Sequence, residues 1–172
     1  MSGARLRAYL AVSADGYIAD NNGGVHWLEA WDPGDLGFYE FLSDIGALVF
    51  GRTTYDQARS FGEWPYGDLP CFVLGQGPGD GFATFSPDPL RLAAEARSVA
   101  GDKDVWLVGG GKALGAFLDA GELDTIELTL LPVLLGSGLP LFIDRPGGSL
   151  PLRGVAARPL VQGATEIIYR LR

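Results

Sequence analysis

Val105-Trp106-Leu107-Val108 runs straight into Gly109-Gly110-Gly111-Lys112. An apolar run of four bounded by glycine reads as a buried strand, and Ala113, Leu114, Phe117 and Leu118 follow at helical spacing. Three glycines between a strand and a helix leave the backbone bare at the helix N-terminus. Unpaired N–H groups point outward there, and the helix dipole favours an anion. Lys112 adds a positive charge at the same place. The segment is a cradle for a phosphate or pyrophosphate set in an α/β fold.

Working outward, 1–172 is read as a single domain, long enough to bury a substantial core. Apolar residues make up 47% of the chain and charged residues 20%, which excludes disorder. The formal net charge of −8 argues against a nucleic-acid partner, because phosphate backbones demand a basic face. A single cysteine, Cys71, excludes an internal disulfide and a cysteine-cluster zinc site, and its apolar neighbours predict a buried thiol. His26 is the lone histidine, so no bis-histidine metal site is possible, no metal is expected, and His26 is read as structural or exposed. The apolar region 126–142 is broken by Glu127, Pro132, Gly136 and Gly138, which excludes a membrane span. Asp15 ends the first apolar stretch too early for a signal peptide, and a cytoplasmic protein is expected.

Strands and helices alternate along most of the chain. Strands are predicted at 6–12, 47–50, 71–74, 83–85, 105–108 and 125–131, with helices after Asp32-Pro33, Arg52, Asp88-Pro89 and Lys112. Asp32 is read as an N-cap with Pro33 at the first helical position, and this helix is expected to carry Leu36, Tyr39, Leu42 and Ile45 inward. After 131 the pattern changes to strands at 139–142, 155–160 and 166–171 with no helix between them. Alternation means a parallel sheet, and the closing strands are antiparallel additions.

Ligands of open α/β sheets sit at the carboxyl ends of the strands. Two of the loops leaving those ends pair glycine with cations or hydroxyls: Gly109 to Lys112, and Gly51-Arg52-Thr53-Thr54. Gly51 permits close backbone approach, Arg52 offers a forked donor, and the threonines bring hydroxyls to a helix start. Two such turns on one edge suit a dinucleotide better than a single phosphate, although each turn alone is also an ordinary structural feature. The P-loop pattern fails, because Trp106 and Ala113 stand where it needs glycine and a hydroxyl residue.

The order Ser13-Ala14-Asp15-Gly16-Tyr17-Ile18-Ala19, Phe50-Gly51-Arg52-Thr53-Thr54-Tyr55, Val108-Gly109-Gly110-Gly111, Pro132-Val133-Leu134-Leu135-Gly136-Ser137-Gly138 and Leu141-Phe142 resembles the dihydrofolate reductase superfamily. The nearest branch is the reductase domain of bacterial riboflavin biosynthesis. The resemblance implies a three-layer dihydrofolate reductase-like fold. Its central, mostly parallel sheet would have about eight strands, with antiparallel C-terminal strands and helices on both faces. It also implies NADPH as cofactor. Gly51, Arg52, Thr53 and Thr54 would hold the adenylate end and pyrophosphate, and Gly109, Gly110, Gly111, Lys112 and Ala113 the pyrophosphate from the other side. Ile18 and Ala19 would lie against the nicotinamide, and Leu74, Gly75 and Gln76 beside the adenosine. Arg52 matches the family's partner for the 2′-phosphate, while Gln76 stands where a small hydroxyl residue often assists, leaving NADPH against NADH open.

On the substrate side, Asp35 falls where folate reductases place a pterin-binding carboxylate, which pairs with the ring and helps deliver a proton. An acid complementing a helix N-terminus is the alternative reading. Trp27, Tyr39 and Thr129 fall near the family's substrate positions and equally suit a core. The activity implied is NADPH-dependent reduction of a C=N or C=O bond in a pterin, pyrimidine or related small heterocycle. The alternatives are 5-amino-6-(5-phosphoribosylamino)uracil reductase-type activity, for which Arg59, Arg145 and Arg153 are available cations, and a nucleotide-binding module without turnover. The apolar segments 130–135 and 139–143 make a homodimer an expectation.

Overall fold

The computed structural model of the protein describes residues 3–143 and 148–171. Its centre is an eight-stranded sheet in the order β5-β4-β3-β6-β1-β7-β10-β9. The strands are β1 (Leu6–Ser13), β3 (Ile45–Gly51), β4 (Cys71–Leu74), β5 (Ala83–Ser86), β6 (Asp104–Gly109), β7 (Thr125–Leu131), β9 (Arg153–Pro159) and β10 (Thr165–Arg170). Neighbours from β5 across to β7 run parallel; β10 is antiparallel to β7, and β9 to β10. A separate two-stranded ribbon joins β2 (Tyr17–Ala19) to β8 (Leu139–Pro140).

Strand alternation separates two cores. On one face Ala8, Leu10, Val49 and Leu107 pack against Leu92, Ala93 and Ala96 of α3 (Pro89–Ala100) and Leu114 and Phe117 of α4 (Gly111–Asp119). The opposite face sets Tyr9, Leu48, Phe50 and Trp106 against Phe41 of α1 (Phe38–Ser43) and Tyr55 and Ala58 of α2 (Arg52–Ser60). Gly46 permits α3 to lie close on β3, since a Cβ there would stand 2.5 Å from the Ala100 carbonyl oxygen. The mostly parallel three-layer architecture expected from the alternation is the one observed.

The helix after Asp32 differs from expectation. Asp32 Oδ1 accepts from the Gly34 N–H at 2.7 Å, so the carboxylate closes a local turn instead of capping a helix. The chain turns again at Gly37, whose φ is +80°, and α1 begins only at Phe38. The new register sends Phe38 and Phe41 toward the sheet and turns Tyr39 outward, 64% exposed. The predicted strand 139–142 is shortened to Leu139–Pro140, because it pairs only with the three-residue β2. Cys71 is buried, its thiol pushed up to about 12 by that burial. His26 is exposed and bonded to Glu29 Oε1 at 2.9 Å, an acid that raises its pKa. No helix among the described residues is long and apolar enough to cross a membrane.

Candidate active site

Because the strands from β5 to β7 are parallel, the loops after β1, β3, β4 and β6 leave the same edge of the sheet. Among the described residues three helices start at that edge. α2 follows Gly51 and α4 follows Gly110, and neither N-terminus carries a side-chain cap. α3 follows the outer parallel strand β5 and is capped, with Asp88 Oδ1 accepting from the Leu90 N–H at 2.9 Å. The two uncapped ends are therefore the ones on this edge where a ligand can supply the missing acceptors.

Glycine brings these two ends together. A Cβ on Gly51 would lie 3.1 Å from Ala113 Cβ, and one on Gly110 would lie 3.1 Å from Thr54 Oγ1. Gly110 has φ +95° and ψ 120°, a backbone conformation that L side chains rarely adopt. Both helix starts open onto one cleft of about 710 Å³, within the range of small-molecule and cofactor sites. The only charged side chains on its described walls are Arg52 and Lys112. A second hollow, against Phe72 and Phe82 to Phe85, has neither a cation nor a helix start on its walls.

Arg52 is held at the rim. Its Nε donates to both carboxylate oxygens of Asp56, at 3.0 and 2.8 Å, and its Nη1 to the Gln76 carbonyl at 3.2 Å. The guanidinium lies 5.2 Å from the centre of the Phe85 ring. Gly75 packs against its stem, where a Cβ would stand 3.3 Å from Arg52 Cβ. Gly75 and Gln76 thus act behind Arg52 and do not line the cleft themselves, whereas Leu74 does.

The β2–β8 ribbon forms the opposing wall, with Ile18 and Ala19 facing the cleft. Asp15 clasps this wall to the loop ahead of β8. It accepts from the Ser13 hydroxyl at 2.6 Å, the Leu135 N–H at 3.2 Å and the Gly136 N–H at 2.7 Å. The Ser13 bond is the main reason its carboxyl lies below the ordinary range. Gly138 is required beside it, since a Cβ would meet the Ala19 carbonyl oxygen at 2.2 Å.

The inner half of the cleft is aromatic. Tyr9, Trp31, Phe38, Tyr66 and Trp106 line it together with Thr129. Tyr9 stacks on Phe41 at 4.1 Å, and Trp106 Nε1 donates to the Tyr9 carbonyl at 3.1 Å, fixing both rings. Burial raises the pKa of Tyr9 and pushes Tyr66 up to about 12, so both phenols stay protonated. The Tyr9 hydroxyl is near enough to Thr129 to affect its own ionisation, but the pair misses hydrogen-bond geometry. Tyr9 instead makes a long 3.4 Å bond to the Leu36 carbonyl, and Thr129 Oγ1 is buried with no hydrogen-bond partner among the described residues.

Of the residues singled out in the sequence, the structure brings Ile18, Ala19, Gly51, Arg52, Thr53, Thr54, Leu74, Gly109, Gly110, Gly111, Lys112, Ala113 and Thr129 to one cleft. Asp35, Trp27 and Tyr39 are not on its walls. Asp35 is exposed in the turn before α1, because the buried residue of that turn is Leu36. Trp27 packs near Leu36, Leu131 and Ala164, and Tyr39 rests edge-on against Phe38 on the outer side of α1. Tyr9, Trp31, Phe38, Tyr66 and Trp106 were not anticipated as cleft residues. As aromatics among apolar neighbours they carry the signature of a core, and only the short α1 leaves part of that face uncovered.

This is the fold of dihydrofolate reductases and of the reductase domain of riboflavin biosynthesis enzymes. A dihydrofolate reductase of Enterococcus faecalis, solved with NADP(H), superposes with a TM-score of 0.64 at 18% identity, covering 96% of this chain and 95% of that one. A deaminase/5-amino-6-(5-phosphoribosylamino)uracil reductase of Thermotoga maritima gives 0.69 at 14% identity, over 98% of this chain and 56% of that longer one. A Shewanella sp. PV-4 protein, described provisionally as a riboflavin biosynthesis protein, gives 0.78 at 28% identity over 96% of this chain and 98% of its own. No established family profile matches the chain. It belongs to the family of two uncharacterised Bacillus subtilis proteins, YyaP and YwjB. Each is 32% identical, YyaP over 96% of this chain and 94% of its own length, YwjB over 78% and 80%.

Proposed function

We propose that the protein is an NADPH-dependent reductase acting on a C=N or C=O bond of a small heterocycle. The observation that carries this reading is the pair of uncapped, glycine-opened helix starts meeting across one cleft beside Arg52 and Lys112. The bare N–H groups of both helices suit a pyrophosphate, which a Cβ at Gly110 would obstruct. Arg52, half-exposed and already oriented by Asp56, would meet the 2′-phosphate, with Leu74 beside the adenosine and Ile18 and Ala19 against the nicotinamide. Bound NADPH would supply the reducing equivalent, and the chain's own residues would orient the substrate and exclude water.

Titration with NADPH and NADH, read by nucleotide fluorescence, tests the assignment. NADPH is expected to bind the tighter, and Arg52→Ala to weaken it at least ~10-fold while leaving NADH little changed, since one charge-assisted contact contributes about 1.5–3 kcal/mol. Binding of neither nucleotide would sink the reading.

The likeness to the Shewanella protein, described as one of riboflavin biosynthesis, supports a second reading, the ribosylaminopyrimidine reductase that the sequence resemblance also allows. Such a substrate needs a second basic pocket for its phosphate. Arg59 lies over the Phe82 ring at 4.3 Å, Arg153 stands on the outer strand β9, and Arg145 lies outside the described residues. Turnover of that phosphate, compared with dihydrofolate, separates the two readings.

A homodimer is also part of the proposal. All seven residues of the edge strand β9 are exposed, with Val155, Leu150 and Leu152 among the exposed apolar side chains. An open edge with apolar neighbours is a template for pairing with a second copy. Analytical ultracentrifugation is expected to show a dimer that Val155→Lys dissociates; a monomeric parent protein would refute it.

A further inference from the structure

Arg52 reaches the cleft already committed to an acid. Its Nε is taken by the two carboxylate oxygens of Asp56, at 3.0 and 2.8 Å, and one Nη1 hydrogen by the Gln76 carbonyl at 3.2 Å. Nη2 makes no hydrogen bond among the described residues, so a ligand is left the distal Nη1–Nη2 edge of the guanidinium. Both side chains of the pair are half-exposed, so a ligand can reach them. Asp56 is not alone in holding the guanidinium. Phe85 lies under one face at 5.2 Å, and Gly75 packs against the stem. The Gln76 carbonyl sits in a loop that Asp80 ties to α2, accepting from the Tyr55 hydroxyl at 2.6 Å. What Asp56 adds beyond these contacts is negative charge.

That charge falls where it matters. Arg52 and Lys112 are the only charged side chains on the described walls, and one of these two cations is offset by a carboxylate at 2.8 Å. A phosphate monoester carries about −1.5 to −2 at neutral pH. Placed on the distal edge of Arg52, it is separated from Asp56 by one guanidinium, less than the screening length of about 8 Å at physiological ionic strength, and the two repel. A nucleotide with a free 2′-hydroxyl brings no charge there, and a carboxylate can accept a hydrogen bond from it. Resting on the cofactor reading above, we propose that Asp56 sets the cofactor preference of the cleft. Its carboxylate offsets Arg52, holds down the affinity for 2′-phosphorylated nucleotides and makes the discrimination between NADPH and NADH smaller than Arg52 alone would give.

NADP⁺ and NAD⁺ differ in the 2′-phosphate alone, so they make a matched pair of probes. Each is titrated calorimetrically at neutral pH and low ionic strength into the parent protein and Asp56→Asn, a binding readout independent of turnover. Asparagine keeps an oxygen that can accept from Arg52 Nε and removes the charge. Asp56→Asn is expected to bind NADP⁺ at least ~3-fold tighter and NAD⁺ no tighter than the parent does. In 1 M salt, where the screening length is about 3 Å, the gain is expected to vanish. Glu95→Gln breaks the like-spaced pair with Arg91 on α3, away from the cleft walls, and removes the same net charge. It is expected to change neither affinity. An NADP⁺ affinity unchanged or lowered in Asp56→Asn, an equal gain for NAD⁺, a gain matched by Glu95→Gln, or one that survives 1 M salt would each overturn the proposal. A parent protein that binds neither nucleotide removes the cofactor reading and this inference with it. One that binds NADP⁺, beside an Asp56→Asn variant without the gain, loses this inference alone.

Discussion

Gly110→Ala is expected to lower NADPH affinity at least ~100-fold, about 2.7 kcal/mol, and to lower the melting temperature by several degrees. The two effects have separate origins. At φ +95° and ψ 120° an alanine is strained by roughly 1–3 kcal/mol, and each kcal/mol shifts a domain of this size by about 2–4 °C. The affinity loss comes from space. The new methyl would stand 3.1 Å from Thr54 Oγ1, in the gap between the two helix starts where the pyrophosphate is assigned. Gly115→Ala, five residues along the same helix, is the control. Its Cβ meets nothing within 4 Å, so it is expected to stabilise by about 0.5–1 kcal/mol and leave binding alone. Calorimetric melting and fluorescence titration of both variants decide the matter. A Gly110→Ala protein that melts lower yet binds NADPH normally would show the turn to be structural only.

Much of this cleft was legible because the end between the α2 and α4 starts is built from backbone. Gly109 to Gly111 and Gly51 to Thr54 stand out by composition: either turn alone is ordinary, but two glycine-and-cation turns at strand ends followed by helices point to one edge. The same clarity holds for Asp88-Pro89, where the cap signature and the observed cap coincide. At Asp32-Pro33 an identical signature misled. A carboxylate followed by Pro-Gly closes a turn as readily as it caps a helix, and Gly37 with φ +80° then resets the register. That slip moved Tyr39 to the outside and left Asp35 in solvent.

The aromatic end was illegible for a different reason. Tyr9 and Trp106 sit on strands whose two faces are both apolar, so periodicity assigns them to a core without saying how completely the core is covered. Coverage depends on the length of α1, only six residues, and on the loop carrying Trp31. Neither is a local property of the strands. The glycine-lined half of the cleft is thus encoded in short motifs, and the aromatic half in what a short helix fails to cover.

At the far end of the same strands, Arg7→Met is expected to destabilise the protein by about 3–5 kcal/mol. Arg7 reaches Glu127 through Nε at 2.7 Å and Nη2 at 2.8 Å, with side-chain exposures of only 11% and 5%. It also touches Asp104 at 3.2 Å and lies over the Phe41 ring at 4.6 Å. Methionine keeps much of the stem but strands the Glu127 carboxylate, with only the Thr125 hydroxyl left to it. The double variant Arg7→Met/Glu127→Met removes the stranded charge and is expected to recover most of the loss, since a packed apolar pair replaces a buried ion pair at little cost. The parent's acid sensitivity has a separate source in Asp104. Burial works to raise its pKa, but the bonds from Arg5 outweigh it and hold the carboxyl below its usual value, so its stabilising effect is present at neutral pH and lost as pH falls through that lowered value. Denaturant unfolding at several pH values reads that trend. A double variant no more stable than Arg7→Met alone would mean that Arg7 acts through packing on Phe41 and not through the charge of Glu127.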